Sequence, residues 1–256
     1  MFTPTSDPRR HALRLVGGLA LVLAGCGGGG GGFGFGGGAA APEQVALTQD
    51  RVIVTGPDGF CIDPTATRDT DDTGFALLGN CAAIANSRRA VQPQSPAVLT
   101  AAISAPSGGG RLSDSLDDLD GFFRSRDGLT LLSRAGDPAT VTVLETATWG
   151  DAFLLHASDS SAGTIAGVQP DYWRAYLDTG PRIATLSVLA PEDRALDRDA
   201  ALGILRSFVG AVQAANPDSA PASAPQPVAP AQSPPPERSG QPGPLWNVGF
   251  FRRIFG

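Results

Sequence analysis

Residues 171–217 read DYWRAYLDTGPRIATLSVLAPEDRALDRDAALGILRSFVGAVQAANP, and this stretch decides the fold class. Residues 172–178 and 182–189 are apolar or alternating runs of strand length. A helix is then expected from about Asp197 or Asp199 to Asn216-Pro217, because apolar residues recur along one of its faces. These residues are Leu202, Leu205, Phe208, Val209 and Val212. Strands followed by an amphipathic helix indicate a mixed domain.

Further strands are expected upstream of this stretch. Gly56-Pro57-Asp58-Gly59 is a turn signal, and we expect it to join residues 51–55 and 60–63 in a β-hairpin. A polar loop at 64–73 follows this hairpin. The remaining predicted strands are residues 75–85, 97–104, 129–133, 139–149 and 152–157.

Another amphipathic helix is predicted before residue 128. Ser113 is its expected N-cap and Gly128 its expected end. Its apolar residues, which recur at helical spacing, are Leu112, Leu116, Leu119 and Phe123. The sequence therefore predicts an α+β domain, in which two amphipathic helices lie on one side of an antiparallel sheet.

Segments of biased composition bound this domain. Residues 27–38 are nearly all glycine, and residues 216–244 consist mainly of proline, alanine, serine and glutamine. Because neither composition can bury a core, we expect a disordered Gly-rich tether and a disordered Pro-rich tail. The predicted organisation is a signal peptide at 1–25, a lipidated cysteine and tether at 26–43, a globular domain at 44–215, a linker at 216–244 and a C-terminal motif at 245–256.

The amino-terminal residues have the layout of an export signal. Arginines at 9, 10 and 14 precede an apolar run at 15–24, which is too short to span a bilayer. Leu23-Ala24-Gly25-Cys26 resembles the lipobox of bacterial lipoproteins. The resemblance implies cleavage before Cys26, acylation of that cysteine with fatty acids such as palmitate, and anchoring to membrane lipid. Gly27 favours the outer membrane over the inner one, with the domain facing the periplasm. An ordinary signal peptide is the alternative.

Cys61 and Cys81 remain after lipidation of Cys26. An oxidising compartment makes a disulfide between them the expected state, with a metal pair or two free thiols as alternatives. Removal of residues 1–25 takes away Asp7 and three arginines, which changes the formal charge from −6 to −8. We therefore expect no nucleic-acid partner. The chain has no lysine, which excludes Schiff-base chemistry on a lysine side chain.

The order of elements is similar to the PsbP-like fold. The chain also resembles small uncharacterised lipoproteins of alphaproteobacteria, through GFCIDP at 59–64, the later Cys81 and the strand-plus-helix ending. The resemblance implies no catalytic residues for this chain. It implies an accessory or binding role.

Chemistry-bearing residues are few. His156 is the histidine that remains after processing. It is either a structural or surface residue or a general base, and as a base it would form a triad with Asp159 and a serine. Aspartates at 118, 120 and 127 match part of a calcium loop, but a helix start explains them better. Those at 69, 71 and 72 fit a solvated loop, with loose calcium binding as the alternative. We expect no metal and no cofactor. Glu145 shares a predicted strand face with apolar residues, so it needs an arginine partner such as Arg174 or Arg182. A functional acid with a perturbed pKa is the alternative.

Two segments are candidates for binding. Tyr172, Arg174 and Tyr176 share one face of a strand, where they form either a stripe for glycan or peptide contact or ordinary sheet packing. Residues 245–256 concentrate aromatic, apolar and basic groups. Those that we single out are Trp246, Phe250, Phe251, Arg252 and Arg253. We expect this motif to contact an anionic membrane interface or another envelope protein, with folding back onto its own domain as the alternative.

These features predict a membrane-anchored envelope lipoprotein with a non-catalytic binding or accessory role. The alternative is a periplasmic hydrolase that uses His156 with nearby carboxylates.

Overall fold

The computed structural model describes residues 40–108, 110–161 and 166–217. The predicted signal peptide, Cys26 and most of the tether lie outside the described residues. The linker beyond Pro217 and the motif at 245–256, with Trp246, Phe250, Phe251, Arg252 and Arg253, also lie outside them. None of the described helices is long and apolar enough to cross a membrane.

The described residues form nine strands and four α-helices. In chain order they are β1 (Gln44–Leu47), β2 (Val52–Thr55), β3 (Phe60–Asp69), β4 (Gly74–Asn80), α1 (Cys81–Ile84), β5 (Val98–Ile103), α2 (Leu116–Arg124), α3 (Arg126–Leu132), β6 (Val141–Trp149), β7 (Ala152–Asp159), β8 (Val168–Thr179), β9 (Arg182–Pro191) and α4 (Arg198–Ala215). Short 3-10 turns at Leu112–Ser115 and Pro138–Thr140 precede α2 and β6. This combination of strands and helices confirms the predicted α+β class.

Seven strands form one antiparallel sheet in the order β3-β4-β5-β9-β8-β7-β6. β1 and β2 form a separate two-stranded sheet. β9 lies in the middle of the large sheet, and all of its residues except Pro191 are buried. The residues of β9 are therefore buried whichever face of the sheet they point to.

Helices lie on both faces of the large sheet. α4 and the β1–β2 pair cover the first face, where Leu205, Phe208 and Val209 of α4 join a core with Leu186 and Trp173. α2 and α3 cover part of the second face, where a separate core forms. This second core includes Leu119, Phe123, Phe153 and Tyr176. The prediction that both helices lie on one side of the sheet is therefore wrong.

The closing helix α4 has the predicted bounds. The Asp197 side chain accepts hydrogen bonds from the backbone N–H groups of Asp199 and Ala200, which satisfies two donors of the first turn. At the other end, the Asn216 side chain accepts from the Ile53 N–H and donates to the Ile53 carbonyl. These two bonds fix the end of α4 against β2.

The predicted hairpin between residues 51–55 and 60–63 is wrong. The turn forms, because the Phe60 N–H donates to the Pro57 carbonyl, but β2 pairs with β1 and β3 pairs with β4. β1 and β2 close through Thr48 and Arg51, which have positive φ values of 65° and 52°. Since such residues seldom adopt that conformation, the sequence carries no signal for this turn. β3 also continues to Asp69, through most of the predicted loop at 64–73.

The predicted first helix is divided in two. Ser113 does not cap it, and Gly128 lies inside α3 rather than at its end. Ser125 separates the helices, and its hydroxyl accepts from the Gly128 N–H. A Cβ atom on Gly128 would lie 2.1 Å from the Phe122 carbonyl oxygen, so glycine permits the close approach of α3 to α2. The strand predicted at 129–133 is therefore helical up to Leu132, which corrects that prediction.

The disulfide between Cys61 and Cys81 is present, as predicted. It joins β3 to the first residue of α1, and the two Cα atoms are 4.8 Å apart. Residues 81–84 are helical rather than the end of the predicted strand at 75–85, because the Asn80 side chain caps them by accepting from the Ala82 N–H. The bridge closes a loop with a sequence separation of 20 residues.

Candidate functional site

A cleft on the first face of the sheet contains His156. Strand β7 supplies this histidine, β8 supplies Asp171 and Trp173, and α4 supplies Arg198 at the cleft's edge. The cleft has a volume of about 250 Å³ and is also lined by apolar residues of β9 and α4. This volume suits a small ligand or a single side chain of a larger one.

The His156 imidazole is held between an aromatic ring and a carboxylate. It stacks on the Trp173 indole, with a centroid distance of 4.7 Å and an interplanar angle of 6°. Its Nε2 atom lies 3.9 Å from an Asp171 carboxylate oxygen. Burial lowers the pKa of His156 below its ordinary value of 6.5, although Asp171 and Glu145 oppose that shift. The imidazole is therefore mainly neutral at pH 7.

Asp159 does not belong to this cleft. Its side chain is fully buried on the opposite face of the sheet, where it accepts hydrogen bonds from the backbone N–H groups of Arg134 and Ser161. Burial would raise the pKa of Asp159, but these bonds outweigh it and lower the pKa. The predicted triad of His156 with Asp159 is therefore not assembled. Strand alternation explains this, because residues three apart on β7 point to opposite faces.

Glu145 pairs with an arginine, as predicted, but the partner is Arg198 rather than Arg174 or Arg182. The Arg198 Nε atom donates to a Glu145 carboxylate oxygen at 3.0 Å, and Nη2 donates to the other at 2.5 Å. A β-bulge between Val143 and Glu145 shifts the alternation of β6, so Glu145 leaves the face of Val143. The Arg198 guanidinium also lies over the Trp173 ring, at 5.7 Å from its centroid. This pair forms one edge of the His156 cleft.

The Tyr172, Arg174 and Tyr176 side chains share the second face of the sheet, as the alternation predicts. Both tyrosine rings are buried in the second core, Tyr172 donates its hydroxyl to the Leu132 carbonyl, and Tyr176 stacks on Phe123. Burial raises the pKa of Tyr176 to about 12. The rings therefore serve sheet packing, and within this row the half-buried Arg174 is the residue open to solvent.

Two of the aspartates considered as calcium ligands, Asp69 and Asp120, have other partners for their carboxylates. The Asp120 carboxylate accepts from Thr146 and Arg124, and these two bonds lower its pKa. Asp69 accepts from the Thr48 N–H, and the Asp72 carbonyl accepts from Arg182. Within residues 40–108, 110–161 and 166–217, no group of three or more histidine, cysteine or acidic residues is placed to hold a metal ion.

Arg182 is a buried residue whose role the sequence does not reveal. It is 2% exposed, and its Nε atom donates to Asp50 at 2.6 Å. Its Nη1 atom donates to the carbonyls of Ser104 and Asp72. Arg182 therefore joins the β1–β2 turn, the β3–β4 turn and the end of β5, and it holds the fold rather than a ligand.

Comparison of the chain with protein-family models, with curated proteins and with solved structures finds no match. The resemblances to bacterial lipoproteins and to the PsbP-like fold therefore stay predictions.

Proposed function

We propose that this protein is a lipid-anchored protein of the bacterial cell envelope whose domain has a non-catalytic binding role. The observation that carries the proposal is Leu23-Ala24-Gly25-Cys26 directly after a short apolar run. Acyl chains on Cys26 would hold the protein at a membrane, because each buried methylene contributes about 0.8 kcal/mol. The Cys61–Cys81 disulfide supports an oxidising compartment for the domain.

Metabolic labelling tests the anchor. Cells expressing the full chain are grown with labelled palmitate, and the purified protein is analysed for label and for its amino-terminal residue. We expect label on the native chain and none on Cys26→Ala. The double variant Cys61→Ala and Cys81→Ala is the matched control, which should keep the label. An unlabelled native chain, or one whose amino terminus is not Cys26, contradicts the proposal.

The groups around His156 support binding over catalysis. Among the described residues that line the cleft there is no serine, threonine or cysteine to act as a nucleophile. Trp173 and Arg198 are packed against each other, and Arg198 is engaged by Glu145. An aromatic wall with a carboxylate and a guanidinium at its edge is a polar recognition surface.

The contact between His156 and Asp171 is the observation that favours hydrolysis as a second candidate. A neutral imidazole beside a carboxylate has the arrangement of a general base for an attacking water. Hydrolysis of an activated ester, measured for the native chain, His156→Gln and Asp171→Asn, separates the two candidates. Equal and background rates in all three agree with a binding role, whereas a rate that both substitutions abolish would establish the hydrolase.

The motif at 245–256 is proposed as a second contact site, toward the membrane interface or another envelope protein. In the full chain, a photoreactive group at position 246 should form crosslinks to lipid or to an envelope protein, and deletion of residues 245–256 should leave the melting temperature unchanged. A large fall in melting temperature would instead show that the motif packs on its own domain.

A further inference from the structure

The helix layer on the second face of the sheet covers only part of that face. α2 and α3 pack on β6 and β7, and Phe123 of α2 reaches the Tyr176 ring of β8. On β4 and β5, the side chains that point to the second face are half-buried, except for the buried Thr100, whereas their neighbours on the first face are buried. The half-buried residues are Phe75, Leu77, Val98 and Ala102, and the buried neighbours are Ala76, Leu78, Leu99 and Ala101. The second face is therefore only partly covered along β4 and at Ala102 of β5.

The strand register shapes this open area into a groove. One row of paired residues crosses the sheet as Arg174, Ser187, Thr100 and Leu77, and the next as Tyr176, Thr185, Ala102 and Phe75. Each row has large side chains at its ends, on β8 and β4, and small ones between them, on β9 and β5. The small residues form the floor and the large ones form two walls. The walls are three strand spacings apart, about 14 Å between backbones, which leaves the width of a single extended chain.

Two polar groups of the groove are incompletely satisfied by the described residues. The Arg174 guanidinium donates to the Ser187 hydroxyl at 3.1 Å and to the Tyr176 hydroxyl, and it lies 4.7 Å from the Tyr172 ring centroid. No carboxylate of the described residues lies within ion-pair distance of Arg174. Thr185, in the neighbouring row, is 5% exposed, and its hydroxyl has no hydrogen-bond partner within the described part of the chain. A cation without a counter-charge beside a donor without an acceptor indicates a site for an anionic oxygen group.

The apolar wall opposite Arg174 determines the rest of the ligand. Phe75 and Leu77 on β4 give that wall no charge, so the anion should carry an apolar chain that crosses the floor toward them. We propose that this groove binds a free fatty acid, whose carboxylate pairs with Arg174 and whose single acyl chain lies along Phe75 and Leu77. The inference rests on the binding role proposed above and names its ligand class. It does not require acylation of Cys26.

Calorimetric titration with dodecanoate, below its micelle concentration, tests this proposal. The protein is the chain beginning at Gly27, which contains all described residues. We expect saturable binding of one dodecanoate, at least tenfold weaker binding to Arg174→Gln, and a smaller loss for Thr185→Val. Dodecanol, which lacks the charge, should bind at least tenfold more weakly than dodecanoate.

Matched variants separate a lost ligand contact from a damaged fold. Arg134 also lies over the Tyr172 ring, at 5.6 Å, but on no wall of the groove, so Arg134→Gln should bind dodecanoate as the native chain does. Ala102→Phe fills the floor and should abolish binding while Arg174 stays in place. The melting temperature of each variant is measured with the titration, and a variant that melts near the native chain but does not bind supports the groove.

Several outcomes overturn the fatty-acid site. They are absence of dodecanoate binding, equal affinity for dodecanol, unchanged affinity in Arg174→Gln, and binding to anionic phospholipid vesicles without binding to monomeric dodecanoate. The last result would assign the surface to a membrane rather than to a free ligand. Because palmitate labelling of Cys26 is independent of this groove, failure here leaves the lipid anchor standing.

Discussion

Replacement of Arg182 by methionine should destabilise the domain far more than loss of its visible ion pair suggests. Arg182 is 2% exposed, and its guanidinium reaches the Asp50 carboxylate and the carbonyls of Ser104 and Asp72. Methionine keeps much of the apolar length of the side chain but makes none of these bonds. The cost therefore measures the hydrogen bonds rather than an empty cavity.

The three bonds contribute unequally. Ser104 is 2% exposed, so its carbonyl finds no water when Arg182 is lost, which costs about 1–3 kcal/mol. Asp50 is 46% exposed and Asp72 is exposed, so both rehydrate, and the ion pair itself is worth about 1 kcal/mol or less. We expect Arg182→Met to cost about 3 kcal/mol, which lowers the melting temperature by about 6–12 °C in a domain of this size.

Thermal and urea unfolding of Arg182→Met and Asp50→Asn measures this difference. Asp50→Asn removes the carboxylate but leaves the carbonyl bonds of Arg182, so it should lower the melting temperature by less than about 4 °C. If the two variants lose the same stability, the exposed ion pair carries the effect and the reasoning is refuted. It is equally refuted if Arg182→Met unfolds within 1 °C of the native chain.

Three further outcomes are expected. Burial lowers the folded-state pKa of His156 below 6.5, so the unfolded chain binds the proton more readily than the folded chain. The free energy of unfolding should therefore fall as the pH drops from about 6.5 to 5. Urea unfolding across this range should show the fall in the native chain and not in His156→Gln. Gly128→Ala should cost about 1–3 kcal/mol in thermal unfolding because its Cβ meets a backbone carbonyl, whereas Gly121→Ala, which meets nothing within 4 Å, should cost nothing. Replacement of Cys61 and Cys81 by serine should cost about 3 kcal/mol in urea unfolding, and an unchanged midpoint would show that the bridge adds no stability.

Elements with strong local signals could be predicted from the sequence. α4 has an aspartate cap, one apolar face and an Asn-Pro end, and its observed bounds are those predicted. The strands β5 to β9 contain long apolar or alternating runs, and each was expected within a few residues of its observed position. The disulfide followed from the cysteine count and the proposed compartment.

Features that depend on contacts between distant segments could not be predicted. Gly128 was expected to end a helix, but its role comes from the approach of α3 to the Phe122 carbonyl. The bulge beside Glu145 changes the face of that residue and gives it Arg198, which is 53 positions away, as a partner. The periodicity of a sequence describes one segment at a time and does not indicate either contact. The candidate site could therefore be predicted only in part.

The open part of the second face illustrates why apolar pattern alone does not locate a binding surface. Continuous apolar runs such as Phe75-Ala76-Leu77-Leu78 are typical of strands that are covered on both faces. β9 fits that rule, but β4 does not, because Phe75 and Leu77 stay half-buried on the second face. Apolar side chains that a fold leaves half-buried beside a cation without a counter-charge are more informative than either feature alone, since packing explains neither. The Arg174 groove meets both conditions, and this is why its ligand should carry both a charge and an apolar chain.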